Sequence, residues 1–200
     1  MKFKKNDPLV IASHNKGKIS EIREFLNDLP LHIKNASEFN INEPEETGNT
    51  FAENALIKAR ATTAATGFAS IADDSGLVVF ALDGEPGIYS ARWAGPTKNF
   101  NIGITLIEKK LKAKAATDFS AKLVCTLALC SPDGEEEIFA GEVLGTLTFP
   151  PRGTNGFGYD PIFIPHNITQ TYGEITAQLK NATNHRAKAF EKLKKSLTVN

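Results

Sequence analysis

Midway along this chain an apolar run, Ser70-Ile71-Ala72, meets two adjacent carboxylates, Asp73-Asp74, followed by Ser75-Gly76 and a second apolar run from Leu77 to Leu82. Like charges side by side in a partly buried place repel each other and lose hydration, so the pair is costly unless a cation or a shared proton compensates. A fold that accepts this segment must bring cations to it, a divalent metal among them, or leave it as a solvated acidic turn between two strands. Where the chain keeps its other charges decides between the two.

Those charges balance. Lys and Arg number 23, as do Asp and Glu, so no global field attracts nucleic acid, an acidic membrane or a basic partner, and any polyanion site must be local. With 200 residues, 41% of them hydrophobic, the chain can build one substantial core or two small lobes. Met1-Lys2-Phe3-Lys4-Lys5 has the charge of a secretory leader, but Asp7-Pro8 and the short run Leu9 to Ala12 do not supply its apolar core. No stretch is long enough to span a membrane. Cys125 and Cys130 stand at odd separation in a strand-like run, which places them on opposite faces and argues for reduced thiols in a cytoplasmic protein. His14, His32, His166 and His185 lack zinc-ligand spacing.

Leu9 to Ala12 reads as a buried strand, and Asn15 can cap a helix with Ile19, Ile22, Phe25, Leu26 and Leu29 at helical spacing. Thr50 and Glu53 form a capping-box pattern for a second, alanine-rich helix that stops at Gly67. The Asp-Asp segment is expected as strand, acidic turn and strand. A helix follows over roughly Phe100 to Lys112. Strands Phe119 to Cys130 and Glu137 to Phe149 flank the turn signal Pro132-Asp133-Gly134 and form a hairpin. Pro150 to Tyr159 is a glycine-rich loop, Pro161 to Ile164 a short strand, and Asn184 can cap a last helix facing inward through Phe190, Leu193 and Leu197. Crossover units favour parallel pairing while the hairpin demands antiparallel, so the fold class is α/β with a mixed sheet.

Two helices begin with cations, at Asn15-Lys16-Gly17-Lys18 and at His185-Arg186. The helix dipole disfavours this by roughly 0.3–1 kcal/mol per charge, so either an anion sits at each end or the side chains are simply solvated. A P-loop is excluded, because the Gly-x4-Gly-Lys-Ser/Thr spacing is missing. Asn54 and Lys58 share a face of the second helix, pointing Lys58 toward the Glu45-Glu46 loop or toward a phosphate. Glu45 and Glu46, in a loop closed by Gly48, could add a hard oxygen ligand for magnesium. In Gly153-Thr154-Asn155-Gly156-Phe157-Gly158-Tyr159-Asp160-Pro161, Phe157 is the candidate to stack on a planar base, and Tyr159 is expected to pack into the core.

Ser13-His14-Asn15-Lys16-Gly17-Lys18, Glu46, Asp73-Asp74-Ser75-Gly76, Phe157-Gly158-Tyr159-Asp160 and His185-Arg186, in this order and at these separations, resemble the inosine/xanthosine triphosphate pyrophosphatase family. The resemblance runs from Leu9 to the final helix. It implies an ITPase-like domain over residues 1–200: an elongated, two-lobed α/β fold around a twisted mixed sheet with flanking helices, a nucleotide cleft between the lobes, and a homodimer. It also implies Mg2+-dependent hydrolysis of noncanonical purine nucleoside triphosphates (dITP, ITP, XTP) to a monophosphate and pyrophosphate. Carried over by position, Ser13, His14, Asn15, Lys16, Gly17 and Lys18 form the triphosphate loop, and Glu46 and Asp74 hold the metal. Asp74 is also the proton acceptor, Asp73 supports the pair, Lys58 faces the phosphates and Ser75 touches substrate. Phe157, Gly158, Tyr159, Asp160, Lys180, His185 and Arg186 surround the base. Gln178-Leu179, Asn184 and Trp93 depart from the family's pattern. Two other readings are a Maf-like pyrophosphatase of pyrimidine nucleoside triphosphates and a nucleotide-binding regulator without turnover.

Overall fold

A computed structural model describes residues 1–199. In chain order the elements are β1 (Lys2–Phe3), β2 (Pro8–Ile11), α1 (Lys16–Leu26), β3 (His32–Asn35), α2 (Phe51–Thr66), β4 (Ala69–Val79), α3 (Phe100–Ala113), β5 (Ser120–Cys130), β6 (Glu136–Leu147), β7 (Phe163–Pro165), α4 (Ala177–Thr183), α5 (His185–Ser196) and β8 (Thr198–Val199). Six strands form one sheet in the order β3-β2-β4-β5-β6-β7, and β1 pairs with β8 separately. β2 is parallel to both β3 and β4, whereas β6 and β7 are antiparallel. Neighbours β5 and β6 are joined only by Ser131 to Glu135, closed by a 3.0 Å bond from Ser131 N–H to the Glu135 carbonyl. So short a connection permits only antiparallel pairing, and the sheet is mixed.

The chain divides into two compact units. The first comprises Met1–Asp74, Cys125–Gly141 and Ala187–Asn200, Asn200 itself lying outside the described residues. Strand alternation sorts its core into two layers. Leu9, Ile11, Ile71, Cys125, Leu127 and Leu129 pack with Ile22 and Leu26 of α1 and Phe190 and Leu193 of α5. Residues of opposite parity, Ala12, Ala72, Ala128 and Cys130, pack with Ala55 and Ala59 of α2. The small side chains of that second layer bring the α2 backbone close to the strands. Asp73 continues the first layer and Asp74 the second.

The second unit comprises Ser75–Val124 and Glu142–Arg186. Leu77, Val79 and Leu82 pack with Ile104, Ile107 and Leu111 of α3 and with Leu123, Val143, Leu147 and Phe163. Tyr159 joins this core, edge-on to Phe100 with ring centroids 5.2 Å apart, and its hydroxyl donates to the Ser90 carbonyl at 2.9 Å. α3 carries glycine at 103 because a Cβ there would lie 2.6 Å from that hydroxyl.

Some expectations change. The Asp-Asp segment is no turn: β4 runs unbroken from Ala69 to Val79, because each carboxylate meets its own cation on its own face. The expected strand at 161–164 starts later, after a single 3-10 turn over Asp160–Ile162. α4, β3, β1 and β8 lack a readable periodic pattern and are additional. Asn184 terminates α4, its N–H bonding to the Lys180 carbonyl, and directly precedes α5. Both cysteines are free and lie in different layers. Trp93 packs against the second unit's core with Lys110 Nζ 5.1 Å above its ring.

Candidate active site

In the first unit the loop after β2 delivers the start of α1. Asn15, with φ −81° and ψ 109°, caps the helix through Oδ1, which accepts from Gly17 N–H at 3.0 Å and Lys18 N–H at 3.2 Å; Ser13 Oγ accepts from Asn15 N–H at 3.2 Å. The Gly17 and Lys18 amides are therefore engaged within the helix cap. Lys16 is exposed. His14 is exposed too, its Nε2 bonded at 2.9 Å to the Ile41 carbonyl. Lys18 turns inward and forms an ion pair with buried Asp73, whose Oδ2 accepts a bond from the Cys125 thiol at 3.0 Å.

On the opposite face, α2 starts at its Thr50 cap and presents Lys58 inward two turns later. The buried Lys58 ammonium donates to Glu46 Oε1 at 2.6 Å and lies 3.3 Å from Asp74 Oδ1. Burial is the largest single influence on Lys58 and opposes its charge, but Asp74, Glu46 and Asp73 together prevail and raise its pKa. For Asp74 burial wins: desolvation outweighs the attraction of Lys58 and Lys18, and the carboxyl is raised above the ordinary carboxylate range. Asp74 Oδ2 is buried and has no hydrogen-bond partner among the described residues.

That unpartnered oxygen, with Glu46 across Lys58, provides two hard donors. Mg2+ is commonly held by one or two carboxylates while retaining water and substrate phosphate oxygens, so this donor set fits it. Among the described residues no group of three or more His, Cys, Asp or Glu side chains is placed to hold a metal ion.

The second unit holds another cluster. The glycine-rich loop turns at Gly156 (φ 73°) and Gly158 (φ 71°), and Asp160 Oδ2 fastens it by accepting from Phe157 N–H at 2.8 Å and from buried Lys180 Nζ at 2.7 Å. Lys180 Nζ stands 4.4 Å from the Phe157 ring centroid and Arg186 Cζ 5.9 Å from it. Arg186, fully buried, also donates to Ser75 Oγ at 3.3 Å, and His185 beside it is buried. An ammonium and a guanidinium over an aromatic ring place cationic donors beside a planar apolar surface, a setting suited to a flat ligand bearing hydrogen-bond acceptors.

A model of the Ham1 family matches residues 9–196. The chain belongs to the Ham1 family. It is 52% identical over 188 residues to the dITP/XTP pyrophosphatase of Rhodospirillum centenum, covering 94% of this chain and 93% of that protein. To the dITP/XTP pyrophosphatase of Agrobacterium fabrum it is 48% identical, covering 92% of each. Among solved structures, a HAM1 protein from Coxiella burnetii superposes with a TM-score of 0.88 at 40% identity, over 94% of this chain and 97% of that one. The Staphylococcus aureus Ham1 protein does so with a TM-score of 0.85 at 41% identity and the same coverage.

In this Ham1 chain the first unit gathers Ser13, Asn15, Gly17, Lys18, Glu46, Lys58, Asp73 and Asp74, and the second gathers Ser75, Phe157, Gly158, Asp160, Lys180, His185 and Arg186. Tyr159 belongs to the core. Lys180 sits on Asp160 despite the departure at Gln178-Leu179. Cys125 was legible only as a core thiol: nothing in a strand sequence shows which residue of the neighbouring strand it will face. Asn54 was readable as sharing a face with Lys58, but its bond to the Gly48 amide was not.

Proposed function

We infer that this chain is a dITP/XTP pyrophosphatase, hydrolysing noncanonical purine nucleoside triphosphates to the monophosphate and pyrophosphate. The near-full-length likeness to enzymes of that name supports the reaction. The observation that carries the chemistry is the buried ammonium of Lys58 between Glu46 and Asp74, with Asp74 Oδ2 left unpartnered.

In this proposal the first unit's cluster takes the triphosphate and the second unit's cluster takes the base. Glu46 and Asp74 would hold Mg2+, which when bound neutralises phosphate charge and acidifies water. Lys58, held charged by its three acidic neighbours, offsets negative charge on the polyphosphate. Lys18 does the same from the first turn of α1. Asp74 is placed to act as the base: its carboxylate lies 3.3 Å from the Lys58 ammonium, and Oδ2 takes no hydrogen bond from the described residues. A water oxygen bonds to the α-phosphorus, its proton passes to Asp74, and the α–β bridging P–O bond breaks to release pyrophosphate. Hydrolysis in oxygen-18 water is expected to label the monophosphate; label in pyrophosphate would overturn attack at the α-phosphorus.

Selectivity follows from the donors around Phe157. Lys180, Arg186 and the His185 ring N–H suit the oxo groups of hypoxanthine and xanthine, whereas a 6-amino group would meet donor with donor. Leaving such a buried group unpaired costs about 1–3 kcal/mol. A panel of dITP, ITP, XTP, dATP, UTP and dTTP with Mg2+ tests the reading: dITP and XTP are expected to lead. Preference for UTP or dTTP would favour Maf-like specificity, and binding without pyrophosphate release would favour a regulator. We further propose a cytoplasmic homodimer, as the family resemblance implies; sedimentation of the purified protein tests the dimer. No helix among the described residues is long and apolar enough to cross a membrane.

A further inference from the structure

We propose that Asn54 and Gly48 form a buried clamp that positions Glu46 for its work, making Asn54 a positioning residue of the magnesium site. The proposal rests on the reading of Glu46 as a magnesium-holding carboxylate.

Glu46 belongs to no helix or strand, so something must fix its loop against Lys58. The first turn of α2 does this with two consecutive bonds. Asn54 Oδ1 accepts from Gly48 N–H at 2.9 Å, and Glu53 Oε2 accepts from Asn49 N–H at 2.6 Å. Asn54 is completely buried and stands one helical turn before Lys58 on the same face, so the side chain that grips the loop and the one that receives Glu46 share a rigid support. The contact is close enough to require glycine: a Cβ at position 48 would lie 2.6 Å from Glu53 Cβ, 2.8 Å from Asn54 Oδ1 and 3.0 Å from Asn54 N. Asn54 Nδ2 is buried with no hydrogen-bond partner among the described residues. A buried carboxamide with half its polar atoms unsatisfied is a poor choice for stability alone. Its presence here is explained when the Oδ1 bond to Gly48 serves the site.

The clamp explains how a quarter-exposed Glu46 side chain meets a buried ammonium at 2.6 Å. Residues that hold a metal ligand in place typically change metal affinity or activity by about 10–100-fold when lost.

The test uses Asn54→Leu, which keeps the shape but removes the acceptor, and Gly48→Ala, which pushes the loop from the helix. Amide exchange at Gly48, measured on the protein without nucleotide or metal, is expected to accelerate in Asn54→Leu. Asn54→Asp retains an acceptor and is expected to keep that amide protected. In dITP hydrolysis, the Mg2+ concentration for half-maximal rate is expected to rise about tenfold in both loosened variants, with thermal stability of Asn54→Leu unchanged or higher. A merely structural role would move stability and leave the Mg2+ titration alone. A folded Asn54→Leu or Gly48→Ala protein with the wild-type Mg2+ curve would overturn the proposal. Glu46→Gln separates the two claims: if it leaves the Mg2+ curve unchanged, the assignment of Glu46 itself fails, whereas a shift in Glu46→Gln without one in the clamp variants refutes only the clamp.

Discussion

Strand geometry sends two neighbouring aspartates in opposite directions. Asp73 meets Lys18 and the Cys125 thiol, and Asp74 meets Lys58. Asp74→Asn is expected to stay folded and to lose about 10²–10⁴-fold in turnover, the range a positioned base contributes. The sign of its stability effect follows from linkage. A carboxyl whose pKa is raised on folding stabilises the fold most below its unfolded value, near 3.8, and loses that contribution as pH rises through the raised value. At neutral pH ionised Asp74 carries a desolvation cost but is also the strongest attraction holding Lys58 charged, so the two effects oppose and Asp74→Asn is expected to melt close to wild type in calorimetry. Lys58 runs the other way in the alkaline range. Its contribution is full below its usual 10.5 and fades only as pH passes through the raised value. Cys125→Ala removes the thiol's hydrogen bond to the Asp73 carboxylate and should cost about 0.5–1.5 kcal/mol in urea unfolding, most of which Cys125→Ser should recover. The acidic pair was legible as a place needing cations. That each acid has its own cation was not, since the reading of Asp73-Asp74 as a turn treated the two charges as sharing one environment.

At the scale of elements, caps and periodicity carried most of the information. α2 begins at Thr50 and ends at Gly67 as its sequence signals require, although Glu53 reaches back to the Asn49 amide. Gly67 adopts φ 69° with open space around it, so Gly67→Ala should cost only the backbone term, about 1 kcal/mol, and leave kcat/KM unchanged. Gly156 differs. At φ 73° a side chain there would collide with the Asp160 carboxylate that fastens Phe157 and Lys180. Gly156→Ala should therefore lower kcat/KM for dITP by about 10–100-fold, a loss readable by steady-state kinetics. Elements that escaped the sequence are the short ones. β1 and β8 have two residues each, β3 is an edge strand without a clean alternation, and α4 has seven residues with its Lys180 buried on Asp160 rather than in an apolar stripe. Tertiary partners, not local pattern, create all four.

For the molecule as a whole, zero net charge leaves no general attraction for anions, so recognition of a triphosphate must come from local clusters. The chain carries two charged clusters, one in each compact unit, and the proposal gives the triphosphate to the first and the base to the second. Spacing alone could not assemble them. The order of separated motifs resembled one family, and the fold and relatives agree with that resemblance. Release of pyrophosphate from dITP by wild type and by a folded Asp74→Asn protein, compared at saturating Mg2+ and neutral pH, tests the central claim most directly. Wild type is expected to release pyrophosphate rapidly and the variant almost none. Comparable release from both would contradict that claim.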